Sequence, residues 1–143
     1  MVTFMVIETG IQPDARGSEY SSLWEDGLMS VFFDAGHIVS NSLAMRLEKI
    51  PQEEIPGEVQ EDFLEAARGG SEYFILIYLD YSQPGMQKPQ EALVKIFRIE
   101  EALGASRSLI YEQRFPAGTG SSLRDEYIKA QETARIVVAQ LKE

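Results

Sequence analysis

"YFILIYLDY", residues 73–81, is the most apolar stretch of the chain, and its reading decides the fold. It is far shorter than the roughly 20 apolar residues needed to cross a bilayer. It also lacks the polar alternation of a strand with one wet face. A near-continuous apolar run of this length is the mark of a central strand covered on both sides, which places the chain among layered α/β proteins.

Working outward, the residues before this run read as a helix from about Glu58 to Arg68. Val59, Phe63, Ala66 and Ala67 lie on one face of it, and Gly69-Gly70 closes it. After the run, "SQPGMQKPQ" is a polar turn region, and "ALVKIFRI" and "RSLIYEQRF" read as two further strands joined by "EEALGAS". Short polar connections between three successive strands predict an antiparallel meander. At the start of the chain, Val2 to Ile7 reads as a buried strand and "GIQPDARGSEY" as a loop. Ser22-Leu23-Trp24-Glu25 has the form of a capping box, followed by Trp24, Leu28, Val31, Phe32 and Ala35 at helical spacing. Gly36 stands where that helix should end, and "HIVSN" restarts as a short strand.

Residues 42–50 leave strand and helix open, because Leu43, Met45 and Leu47 alternate while Ser42 could cap a turn. The last helix spans roughly Leu123 to Leu141, with Leu123, Tyr127, Ala130, Ala134, Val137 and Leu141 in one apolar stripe. The expectation is a single α/β (α+β) domain over residues 1–143, with a mixed sheet of about five strands in the order β-α-β-α-β-β-β-α.

Composition narrows the partners. A formal charge of −10, with 13 basic residues of which no two adjoin, argues against a nucleic-acid backbone as partner. With no cysteine, disulfides, thiolate metal sites and cysteine nucleophiles are excluded. The sequence offers no transmembrane segment and implies no cofactor. A core strand opening one residue after Met1 raises the expectation that a leader or anchor precedes it, which would place the protein in the periplasm or cell envelope, and otherwise in the cytoplasm.

The single histidine lies in "FDAGHIVSN", residues 33–41, with Asp34 three positions before it. A catalytic histidine needs a serine, cysteine or metal to act on. Ser40 and Ser42 are near in sequence, but no G-x-S-x-G elbow or second histidine accompanies them. Asp34 in a last helical turn, Gly36 ending it and His37 beside it make structural punctuation, so no catalytic or metal residue is assigned.

"ETGIQPDARG" and "AGTGSS" sit before helices but match no phosphate-loop pattern, and capping by Ser121 or Ser122 accounts for the second. The acidic run "PQEEIPGEVQED" reads as a solvated face. Tyr73, Tyr78, Tyr81, Phe97, Tyr111 and Phe115 read as core or same-face strand residues.

The strings "VTFMVIETG", "SLWEDGLMSVFFDAGHIVSN", "RGGSEYFILIYLDY", "EALVKIFRI", "SLIYEQRF" and "RDEYIKAQETARIVVAQL" follow the element order of a known small domain. In that order the chain resembles the α/β domain shared by the curli secretion channel protein CsgG, the TolB amino-terminal domain and the LpoB-type penicillin-binding-protein activators. Where that family's second strand ends in arginine, this one ends in Ser40-Asn41, and no lipobox cysteine is present. The resemblance implies a non-catalytic domain of the bacterial cell envelope that docks to a protein partner, with homo-oligomerisation open. The alternative is a small cytosolic enzyme or ligand-binding domain using Asp34, His37 and carboxylates in a cleft near the C-terminal ends of the first strand and of residues 73–81.

Overall fold

The computed structural model describes residues 1–10, 19–81, 88–101 and 106–141, so most of the loop readings over 11–18, 82–87 and 102–105 lie outside the described residues. Its elements are β1 (Val2–Thr9), α1 (Glu19–Asp34), β2 (Val39–Asn41), β3 (Met45–Leu47), a 3-10 turn (Gly57–Val59), α2 (Gln60–Arg68), β4 (Tyr73–Asp80), β5 (Glu91–Glu101), β6 (Ser106–Pro116) and α3 (Leu123–Val138). They form a mixed sheet in the order β2-β1-β4-β5-β6, with β3 also paired to β1. β1 runs parallel to β2, β3 and β4, while β4, β5 and β6 form the antiparallel meander.

The ambiguous stretch after Asn41 resolves as strand. β2 and β3 use successive parts of one edge of β1: Phe4 faces Asn41, whereas Ile7 faces Met45. Three steps on β1 thus match four on the other chain segment, a one-residue excess of the kind a β-bulge absorbs. Ser42 keeps the two pieces in line by donating its N–H to the Phe4 carbonyl at 2.9 Å. The expected strand at "HIVSN" is β2, the open stretch supplies β3, and among the described residues the sheet has six strands where about five were expected.

Side chains alternate across a strand with period two, and both faces of β1 and β4 are covered. Val2, Phe4, Val6, Ile75, Ile77 and Leu79 pack under α1 and α3 with Trp24, Leu28, Phe32, Ala130 and Ala134. Met5, Ile7, Phe74, Leu76 and Tyr78 pack under α2 with Val59, Phe63 and Ala66. Each such side chain contributes about 1.5–3 kcal/mol on burial, so these two strands are the main source of stability.

The capping-box reading needs correction. α1 already runs from Glu19, which puts Ser22 inside the helix. Tyr20, one turn before Trp24, packs against the same core and extends the apolar stripe backward. α1 and α3 approach closely: a Cβ on Gly27 would lie 3.1 Å from that of Ala130. Trp24 Nε1 donates to Glu126 Oε2 at 3.0 Å across the same contact. At the start of α3, Ser122 is the N-cap and its hydroxyl accepts from Asp125 N at 3.1 Å.

Candidate functional site

Asp34 and His37 are brought together only as a helix ending. Gly36, at φ 89, donates to the Phe33 carbonyl at 3.0 Å, and His37 N donates to that of Phe32 at 3.1 Å. This is the Schellman arrangement, which satisfies carbonyls a helix end leaves bare. The His37 ring meets Phe32 edge-on at 6.4 Å, the apolar contact that accompanies the motif. Asp34 is exposed and His37 half-buried.

The pair does not sit where the cleft reading put it. Val2 N, opening β1, donates to the Ile38 carbonyl at 2.8 Å, so His37 lies at the N-terminal ends of the parallel strands. Helix direction is the reason: α1 returns antiparallel to β1, and its last turn must arrive where β2 begins. Ser40 is engaged elsewhere, 2.9 Å from Thr3 Oγ1, which in turn lies 2.6 Å from Ser71 Oγ.

The opposite pole carries a different group of residues. β1 has β3 on one side and β4 on the other, and the C-terminal end of such a strand is where open α/β sheets place ligands. There Arg46 Nε contacts Glu8 Oε1 at 3.0 Å and Tyr81 Oη donates to Glu8 Oε2 at 2.8 Å. The Arg46 and Glu8 side chains are only 9% and 3% exposed. Beside them opens a cavity of about 690 Å³, lined among others by Arg46, Lys49, Glu48, Glu53 and Glu58. Tyr78 Oη and Arg46 Nη1 are buried without a hydrogen-bond partner.

Burial pushes the Tyr78 phenol above its ordinary value, and the Glu53 and Glu58 carboxylates add to the rise. Burial likewise raises Glu25, opposed by the Asn41 amide that donates to it and assisted by Asp26 and Glu8. A phenol held protonated is a donor and not a base.

The glycine-rich segment before α3 is also occupied by the chain itself. Gly118 N donates to Glu126 Oε2 at 3.0 Å and Gly120 N to Glu126 Oε1 at 3.4 Å, so the amides an external anion would use already hold a carboxylate.

The remaining feature is the β6 edge. β6 ends the sheet, is 11 residues long and is exposed along much of its length. Ile96 faces Tyr111 but Phe97 faces Leu109, which leaves Ile110 as the extra residue of a bulge. From Tyr111 to Pro116 the pairing is regular. Tyr111, Gln113 and Phe115 face Ile96, Val94 and Ala92, so they lie on the α1/α3 side; Glu112 and Arg114 face Lys95 and Leu93, on the α2 side.

Comparison with known proteins adds little to this geometry. No protein family and no curated protein matches the chain. Among solved structures, the hypothetical protein CT253 from Chlamydia trachomatis is similar at 12% identity, over 95% of this chain and 94% of that one, with a TM-score of 0.46.

Proposed function

We propose that this chain is a non-catalytic docking or assembly domain that takes a partner strand along β6. The observation that carries the reading is the β6 edge itself, whose backbone groups on one side have no neighbouring strand among the described residues. Strand addition at such an edge is an established way for a sheet to bind a protein. Support comes also from what the described residues do not bring together: Asp34 and His37 terminate a helix, and the buried carboxylate Glu8 is held by Arg46 and Tyr81. The cell-envelope, periplasmic setting rests on the resemblance to the CsgG, TolB and LpoB domains. No described helix is long and apolar enough to cross a membrane.

A photo-reactive residue at position 113 tests the reading in the native host, with one at Glu132 on the exposed side of α3 as control. The expected result is a discrete adduct from position 113 and none from 132. Equal adducts from both positions, or none from 113, overturn the reading.

A second reading, a small-ligand domain, is favoured by the cavity beside Arg46. Its site would be the Glu8 pole and not Asp34 and His37. Removing Arg46 should then abolish a ligand-induced rise in melting temperature, which His37→Ala should leave intact.

A further inference from the structure

The docking edge has a sequence that complements itself, and we propose that a second copy of this chain is its occupant, paired antiparallel about a two-fold axis at Gln113. The inference rests on the reading of β6 as a docking edge and names what fills it.

In an antiparallel pair, residues directly opposite point to the same face. Two copies related by a two-fold axis through the pairing therefore oppose residues of equal parity, and a single residue faces its own copy at the centre. The bulge at Ile110 restricts the flat part of β6 to Tyr111–Pro116, so the centre must lie within it. Centring on Glu112 sets two carboxylates against each other, and centring on Arg114 sets two guanidinium groups together.

Centring on Gln113 gives a different pattern. Glu112 faces Arg114 of the other copy twice over, on the α2 side. Tyr111 faces Phe115 twice over, on the α1/α3 side. Opposite charges and aromatic pairs are the cross-strand combinations that stabilise a sheet, and like charges directly opposite oppose it. Glu112 and Arg114 are both exposed, Arg114 through a guanidinium that also reaches Glu91 within its own chain at 2.9 Å.

Pairing of Ile110–Pro116 from each copy is a short contact, well below the roughly 20–30 residues a side of a standard interface, so the dimer belongs to the weak, transient class. A net charge of −10 opposes it further, and the measurement belongs at about 0.15 M salt, where charges beyond about 8 Å are screened.

The chain has no cysteine of its own, so single-cysteine variants report one contact each. Residues facing themselves across an antiparallel pair have Cα atoms about 4.5–5.5 Å apart, within disulfide range. Gln113→Cys should form disulfide dimers under mild oxidation at least tenfold faster than Glu132→Cys. In the Gln113→Cys background, Glu112→Arg and Arg114→Glu should each slow cross-linking about three- to tenfold, and the double swap should restore it. Circular dichroism checks that each variant is folded; if a swap unfolds the chain, Glu112→Gln and Arg114→Gln replace it, each slowing the reaction by less. Cross-linking of Gln113→Cys no faster than of Glu132→Cys overturns the proposal, as does a double swap that fails to restore the rate. An adduct from position 113 to a different protein, without self-adduct, keeps the docking edge and rejects the second copy.

Discussion

Replacing Tyr78 by Phe should stabilise the protein. The Tyr78 hydroxyl is buried and makes no hydrogen bond, while its ring is fully enclosed in the core beneath α2. Leaving a buried hydroxyl unpaired costs about 1–3 kcal/mol, and the phenyl ring keeps the packing and the contact with Lys95, whose ammonium lies 5.8 Å from the ring centre. A gain of about 1 kcal/mol is expected at pH 7. At about 2.1 cal/mol/K of unfolding entropy per residue, that raises Tm by roughly 3 °C.

The effect should grow with alkalinity. Folding holds the Tyr78 proton above its ordinary value of 10.0, whereas the unfolded chain releases it there. Above pH 10 the native state therefore binds more protons than the unfolded one, and stability falls by up to about 1.4 kcal/mol per pH unit for this group. Tyr78→Phe removes that slope, so its advantage should widen by about 1 kcal/mol between pH 10 and pH 11. Urea titrations of both proteins at pH 7, 10 and 11 measure the difference. A loss of more than 0.5 kcal/mol for Tyr78→Phe at pH 7 would show that the hydroxyl is satisfied and the reasoning wrong.

Breaking the Glu8–Arg46 pair by Arg46→Ala should cost about 3–5 kcal/mol, because it strands a buried carboxylate; Glu8→Leu with Arg46→Met should recover most of that in the same denaturant assay. Glu126→Ala removes the acceptor of Trp24 Nε1 and of the Gly118 and Gly120 amides, and should cost about 2–4 kcal/mol with a shift in tryptophan emission. His37→Ala should cost less than about 1 kcal/mol, since it deletes one ring contact and no backbone bond, whereas Gly36→Ala, forced to φ 89, should cost about 1 kcal/mol or more. A larger loss at His37 than at Gly36 in chemical denaturation would contradict the punctuation reading.

The core of this fold was legible wherever a local pattern and a tertiary role coincide. The run at 73–81 is apolar because both faces are covered, and Gly36 and Ser122 mark helix ends through local backbone chemistry. The start of α1 is not legible locally, because Tyr20 belongs to the helix through packing against a sheet that the local sequence does not contain. Residues 42–50 stay open between strand and helix in the sequence because β3 depends on the register of β1, far upstream, across the bulge after Asn41.

The Glu8 pole is legible in the sequence as a place, the C-terminal ends of the first strand and of residues 73–81, but not in its residues, for the same reason. Its partners lie 38 and 73 positions away, and the one available signal was a carboxylate placed inside an apolar strand. The open edge of β6 follows from strand order, which no window of sequence carries. Asp34 and His37 drew notice by residue type alone, and residue type does not say at which end of a sheet a side chain falls.

β1 is the keystone of the sheet, and that has a consequence for how the chain assembles. Val2 pairs with Tyr73 and Ile7 with Met45, whereas β5 and β6 are separated only by residues 102–105. Closing the longer loops demands more entropy, so the hairpin should form early and β1 should seat late. Until it does, Phe74–Leu79 stands as a bare apolar rim, of the composition that recruits neighbouring chains into aggregates. Damage that delays the docking of Val2–Thr9 should therefore show itself first as lost soluble yield, before any change in the melting of molecules that reach the native state.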